Sequence, residues 1–317
     1  MKNLEFGRDA LGAFAAAAML AGCGGAQPPI GAPGAMAQGP GTVRETAQHR
    51  KSSGGDLVYA TGAGETLVFS YPKGTLLDTI RTGGAGICSD TQGNVFVTNA
   101  ANIYEFPHGA TSPSATLTVP GKLAQGCAVD PLSNNLAVIF KGSSADVAVF
   151  PNEQGTPTLY QSQIDSNFCG FDGSGDLFVD GYSGQAYGFS ELPKNGSSFT
   201  ELSISSTVGQ PGQVQWDGKY ITYEGIDPED TRVSQLSTSG TSATIAGTTI
   251  LEGIKRRAYL SWIYEGKIVV PYSTRGFAAR RIGTWAYPKG GKKTKLFPRF
   301  STKATDLIGV AISVQPQ

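Results

Sequence analysis

Among the 317 residues of this chain, the groups with the widest chemical reach are four cysteines and two histidines. Cys88, Cys127 and Cys169 each lie in a short apolar stretch that runs into an aspartate: Cys88-Ser89-Asp90, Cys127-Ala128-Val129-Asp130 and Cys169-Gly170-Phe171-Asp172. Thiols at matching places in successive repeats can pack as small hydrophobes, pair as a disulfide, or hold a soft metal. A metal site usually wants a fourth ligand, and neither His49 nor His108 lies near. A disulfide needs Cα atoms within about 7 Å, closer than neighbouring repeats normally come. The favoured expectation is therefore three packed thiols, with a disulfide among Cys88, Cys127 and Cys169 as the second reading and no metal.

Other chemistry finds little support. Ser70-Tyr71-Pro72-Lys73 has the Ser-x-x-Lys spacing of penicillin-recognising enzymes, but Pro72 forbids the helical turn that would align the pair. There is no Gly-x-Ser-x-Gly, His-Glu-x-x-His or Walker loop, so no catalytic residue and no cofactor are expected. His108 reads as exposed turn chemistry, since Lys73 and Lys289 take its place in other repeats. Residues 254–303 hold thirteen Lys and Arg against Glu265 alone, an excess that the rest of this neutral chain offsets. Arg280, Arg281, Lys292, Lys293 and Lys295 could face an acidic polysaccharide, lipid head groups or a partner. The favoured reading is a solvated face balanced by Asp227, Glu229 and Asp230, because the cations alternate along strands.

The elements that must position these residues are strands. Glycine numbers 43 and charged residues are only 16% of the chain, a mix suited to many tight turns. Beyond residue 56 the pattern is period-2 strands broken by turn clusters. One element recurs about every forty residues, a strand ending in an aromatic or Leu before a Pro-containing turn. It appears at Tyr71-Pro72-Lys73-Gly74, Phe106-Pro107-His108-Gly109, Phe150-Pro151, Leu192-Pro193-Lys194-Asn195-Gly196 and Tyr287-Pro288-Lys289-Gly290, with a Pro-less copy at Leu236 to Gly240. A second element, a strand and then an Asp-started turn, precedes it at Asp90, Asp130 and Asp172, with weaker copies at Val214-Gln215-Trp216-Asp217 and Ser261-Trp262-Ile263-Tyr264. The aspartates are expected to bond their own turns rather than a metal.

Six copies predict an all-β, six-bladed β-propeller. Leu307 to Ser313 matches the first strand of a unit, and Asp56 to Ala60 matches a second strand that lacks a first, so pairing of N- and C-terminal strands should close the ring. Asp90-Thr91-Gln92-Gly93-Asn94-Val95-Phe96-Val97 resembles NHL-like and SMP-30-like six-bladed propellers. That resemblance implies a fold. Some such propellers are metal-dependent lactonases or lyases, which draw His and acidic residues from several inner strands, and none of those strands here carries a His.

The N-terminal segment is of another kind. Ala10 to Leu20 is an apolar run too short to span a bilayer. It ends in Leu20-Ala21-Gly22-Cys23, which resembles the lipobox of bacterial lipoproteins. The resemblance implies cleavage before Cys23 and lipid on its thiol, anchoring the chain to a membrane. Three parts are expected: a signal peptide over 1–22, a disordered Gly/Ala/Pro-rich tether over 23–55, and the propeller over 56–317. The functional expectation is a monomeric cell-envelope lipoprotein, on the outer membrane where two exist, facing the periplasm or the surface. Its propeller would be a non-catalytic scaffold for an unknown protein or glycan ligand, with no nucleic acid among its partners, and a metal-dependent enzyme is the alternative.

Overall fold

A computed structural model describes residues 54–141, 146–204, 210–226, 231–254, 257–258, 260–273, 279–300 and 306–317. The segments expected to be signal peptide and tether, Cys23 included, lie almost wholly outside these residues. The described chain is all strand apart from one short 3-10 turn at Pro151–Glu153. The strands form six separate, mainly antiparallel sheets of four or five strands, the blades of a six-bladed β-propeller.

Blade I joins the two ends of the chain. Leu307–Ser313 is its innermost strand, followed outward by Leu57–Gly62, Thr66–Ser70 and Leu76–Ile80. The register sets Leu57 against Ser313 and Val58 against Ile312, the closure that the sequence predicts. Hydrogen bonds tie the closing strand to blade II as well: Ser89 Oγ donates to the Ile312 carbonyl at 2.7 Å, and Ser313 Oγ donates to that of Gly93. Blades II, III and IV are regular four-stranded units whose innermost strands are Gly86–Ser89, Leu123–Val129 and Asp165–Phe171.

Blades V and VI depart from that pattern. Blade V starts with the short strand Val214–Trp216 and carries a fifth strand, Ser203–Ile204, parallel to its outer Ser242–Leu251. Blade VI has its innermost strand broken into Arg257–Ala258 and Trp262–Tyr264, both paired with Lys267–Ser273. In the gap, Leu260 bonds across to the closing strand, donating to Ile308 and accepting from Val310 at 3.1 and 3.0 Å. Gly309 permits this approach, because a Cβ there would stand 3.0 Å from the Leu260 side chain.

Burial corrects the period-2 expectation for the second strand of the blades. Val58-Tyr59-Ala60, Val95-Phe96-Val97, Leu136 to Phe140 and Ile268-Val269-Val270 are buried at every position. Each such strand is sandwiched between two neighbouring blades, so both of its faces must be apolar. Alternation survives on outer strands such as Ser242–Leu251. The core is accordingly a ring of interfaces. Phe96 and Ile103 of blade II pack on Val138 and Phe140 of blade III, and Phe178 and Phe189 of blade IV on Ile221 and Tyr223 of blade V. Each such large side chain contributes roughly 1.5–3 kcal/mol on burial.

Candidate functional site

In blades II to VI the first strand leads into an Asp or Glu turn, and the third strand leads into the turn that carries Pro in five of the six repeats. Antiparallel alternation puts both sets of turns on one face of the ring. Asp90 Oδ1 accepts from the amides of Gln92 and Asn94 at 2.9 and 2.7 Å. Asp172 binds Ser174 and Asp176 amides at 2.8 and 3.0 Å, and Asp130 binds that of Leu132 at 3.0 Å. Gly93 and Gly175 follow with φ of 90° and 88°, a conformation that favours Gly. The aspartates thus close their own turns, the role their type and spacing suggest.

The residue just before each turn acid is small in blades II and III and aromatic in blades IV to VI: Ser89, Val129, Phe171, Trp216 and Tyr264. These side chains, with Trp262, Gln213, Gln215 and Ile312, surround a cavity of about 270 Å³ on the axis, lined by the inner strands of all six blades. The Cys88–Cys127 pair forms part of its wall. Beside this mouth lies a groove of about 610 Å³ between blades V and VI, which shares Trp216, Ile263 and Tyr264 with the cavity. Its remaining lining includes Asp217, Lys219, Tyr220, Gln235, Glu265 and Tyr287.

The groove is built on hydrogen bonds that hold its rings still. Asp217 accepts from the Lys219 and Tyr220 amides at 2.8 and 2.7 Å, from Gln235 Nε2 at 2.9 Å and from the Tyr287 hydroxyl at 2.6 Å. Burial alone would raise its pKa, but these donors, Tyr287 foremost, outweigh it and hold the carboxyl below its ordinary range. Burial and Asp217 in turn push the Tyr287 hydroxyl well up, so it stays a donor. Gln215 bridges the two inner strands, donating to the Ile263 carbonyl at 3.0 Å and accepting from its amide at 2.8 Å. Tyr264 donates to Asp56 at 2.9 Å and meets Tyr71 edge-on. Trp216 rests on Gly173 of blade IV, where a Cβ would stand 2.9 Å from the indole.

The cysteines require a correction. Cys88 and Cys127 form a disulfide, with Cα atoms 5.7 Å apart, and among the described residues Cys169 is the free, buried thiol. The three positions are not equivalent. Cys88 precedes its turn aspartate by two residues, whereas Cys127 and Cys169 precede theirs by three. Side chains alternate along a strand, so one residue of offset reverses direction. Cys88 therefore points forward into the interface of blades II and III, and Cys127 points back into the same interface. Cys169 also points back, toward blade III, where its Sγ lies 3.9 Å from the Ala137 carbonyl and burial pushes its pKa up.

The basic residues of blade VI do not converge. Arg280, Arg281, Lys292 and Lys295 are exposed. Lys293 is drawn inward, its Nζ donating to the Tyr272 hydroxyl and lying 4.7 Å from the Tyr272 ring centre and 5.7 Å from that of Trp285. Arg281 stands opposite Tyr272 and Lys295 opposite Thr284, hence on opposite faces of the blade. Asp227, Glu229 and Asp230 lie outside the described residues. His108 is half-buried rather than exposed, joined to Ser313 at 2.7 Å, and desolvation lowers its pKa.

Two acidic groupings escape the sequence motifs. Glu224 is fully enclosed in blade V, accepts from the Ser261 amide of blade VI at 3.3 Å, and is pushed by burial up to about 7. Glu153, half-buried in the third blade, is pushed up to about 8 by burial and by the charges of Asp90 and Glu105. Among the described residues no group of three or more His, Cys, Asp or Glu is arranged to hold a metal ion. Trp216, Tyr220, Tyr264 and Tyr287 went unread as a site because each resembles a strand or turn residue of its own repeat. The signal was there in the size of the residue before each turn acid.

No protein-family model matches this chain, and no curated protein does. Solved structures share its fold at low identity. A chain of a nidogen/laminin complex superposes with a TM-score of 0.63 and 13% identity, covering 83% of this chain and 100% of that one. A protein of unknown function from Bacteroides caccae gives 0.58 and 10%, covering 82% and 99%. Such likeness shows the propeller architecture of this chain and leaves its task to be argued from its own side chains.

Proposed function

We propose that this chain is an exported lipoprotein of the bacterial cell envelope whose propeller is a non-catalytic scaffold, binding a ligand or partner on the face where its turns gather. The observation that carries the binding role is the axial mouth, where Trp216, Trp262 and Tyr264 stand half-exposed on a rigid ring. A preformed concave site with aromatic walls and few convergent polar groups is the usual form of a recognition site. One similar fold was solved as a nidogen/laminin complex, in keeping with propellers serving as binding modules. Leu20-Ala21-Gly22-Cys23 carries the anchor, and the Cys88–Cys127 disulfide suits an oxidising compartment such as the periplasm or cell surface. The Asp turns support an NHL-like reading of the blades.

Two measurements test this. Expressed in a bacterium with two membranes, the full chain should incorporate labelled palmitate and fractionate with the outer membrane, and Cys23→Ala should abolish both. The purified protein should contain no stoichiometric metal and show no turnover in a lactone-hydrolysis screen, and metal-dependent turnover would overturn the scaffold reading. The raised Glu153 carboxyl beside Asp90, which itself lines the mouth, is an observation that favours the enzymatic alternative.

A further inference from the structure

We infer that the groove between blades V and VI is a carbohydrate cleft, in which a neutral oligosaccharide lies against Trp216 and Tyr220 on one wall and Tyr264 on the other; this rests on the binding role proposed above. Three features of the groove select that class. The first is mixed character. A pyranose ring presents flat C–H faces, which pack on aromatic rings, and a rim of hydroxyls, which need donors and acceptors close beside those rings. The groove supplies both within one lining, aromatic walls next to Gln235, Glu265 and Lys219.

The second feature is charge. Asp217 already accepts four hydrogen bonds from its own chain, which leaves it as the frame of the site. The exposed charges that remain in the lining are Glu265 and Lys219, of opposite sign, and the Lys219 ammonium sits 4.8 Å over the Tyr220 ring. An anionic ligand would meet two carboxylates against one ammonium, and a purely apolar ligand would strand the polar groups. A cation would be repelled by the Lys219 ammonium that already sits beside the Tyr220 ring. A neutral polyhydroxylated ligand meets none of these penalties.

The third feature is preorganisation and size. Gly173 backs the Trp216 indole, Asp56 holds Tyr264, and Asp217 holds Tyr287, so the walls need not be ordered by the ligand. The groove of about 610 Å³ shares Trp216, Ile263 and Tyr264 with the axial cavity of about 270 Å³, and is ample for linked rings rather than a single small ion.

The test applies the full chain to a glycan array and then titrates cellohexaose, maltohexaose and chitohexaose while following tryptophan emission. A neutral glycan should bind saturably and shift the emission. Trp216→Ala and Tyr220→Ala should each weaken it about tenfold or more, Trp216→Phe less, and Lys292→Ala not at all. Thermal melts of each variant keep a folding defect apart from a binding one, and Tyr220→Ala, altering a half-exposed ring, serves where Trp216→Ala unfolds. Absence of any neutral glycan binding by the folded protein, or binding indifferent to both aromatic substitutions, overturns the inference. If sugars fail but a peptide library or tetramethylammonium titrates the Trp216 signal, the carbohydrate class falls and the scaffold role stands. If none of these probes binds, both fall.

Discussion

In blades II, III and IV the innermost strand ends on Ser89, Val129 and Phe171, and the first two of these strands are joined by Cys88–Cys127. In blades V and VI it ends on Trp216 and Tyr264, no disulfide is present, and the inner strands are short or broken. Around one ring, then, one arc lines the axis with side chains of which Cys88 and Cys127 are covalently tied, and the other leaves aromatic rings half-exposed over a hydrogen-bonded frame. The same blade geometry supports both because each blade is fixed mainly by its buried second strand, which leaves the ends of the first strand free to vary. Rigidity of the first arc lets the second carry a groove without the ring opening.

The severest way to break the comparison is to remove what both arcs share. Deleting Ile308 to Ser313 takes away the fully enclosed Val310 and Ala311 and leaves the Leu57–Gly62 strand with an unpaired edge. The expected outcome is loss of cooperative unfolding and aggregation on size-exclusion chromatography. A soluble, monomeric truncation with a sharp melt would mean that the ring does not depend on its closure.

Next in size is the covalent tie of the first arc. The disulfide closes a loop with a sequence separation of 39 residues. Replacing both Cys88 and Cys127 by Ala should cost about 3–4 kcal/mol in urea unfolding, mostly by freeing the unfolded chain. Reductant should destabilise the wild type and leave the double variant unmoved. Cys169→Ala, in the same arc but unbonded, should cost only about 1 kcal/mol. Equal losses at the two sites would erase the distinction drawn between them.

How much of this was legible in the sequence follows the same division. Repeats at Asp90, Asp130 and Asp172 expose the blades because the turns demand Asp and Gly locally, and the closing strand shows itself as a first strand without a second. The disulfide was partly legible. Counting back from each aspartate gives the one-residue offset of Cys88, but the 5.7 Å approach depends on how tightly the inner strands crowd the axis. The groove was not legible. Tyr287 and Asp217 are 70 residues apart and meet only because consecutive blades stand side by side. Glu224 likewise looks like any strand glutamate until blade VI is packed over it.

Glu224 sharpens the comparison on the second arc through pH. Burial raises its folded pKa to about 7 from an ordinary value of 4.5. Below the lower value both states hold the proton and no stability difference arises. Between the two, the folded protein keeps a proton that the unfolded chain has released, so stability falls as pH rises through this window and levels off above it. The total is roughly 3 kcal/mol at about 1.4 kcal/mol per unit. Glu224→Gln should remove that slope, leaving the protein more stable than wild type at pH 8 and similar at pH 4.5, as read from melting temperatures. Asp180, buried in blade IV with its pKa also raised by burial, adds a slope of the same sign. A pH-independent difference between wild type and Glu224→Gln would show that the carboxylate is not desolvated.

The smallest effect separates two lysines, one on each arc. Lys141 in blade III meets Asp165 at 2.7 Å, but the side chains are 27% and 69% exposed. Water screens such a pair, and its side-chain ordering offsets much of the attraction, so Lys141→Met should change stability by about 0.5 kcal/mol or less. Lys293 in blade VI is held against Tyr272 and Trp285, both fully buried, and donates to the Tyr272 hydroxyl. Partial desolvation strengthens a cation over aromatic faces, and Lys293→Met should cost about 1–2 kcal/mol, insensitive to salt. Urea melts at low and high ionic strength separate the two. If Lys293→Met costs no more than Lys141→Met, this cation is one more solvated charge of blade VI and not a packed member of its outer core.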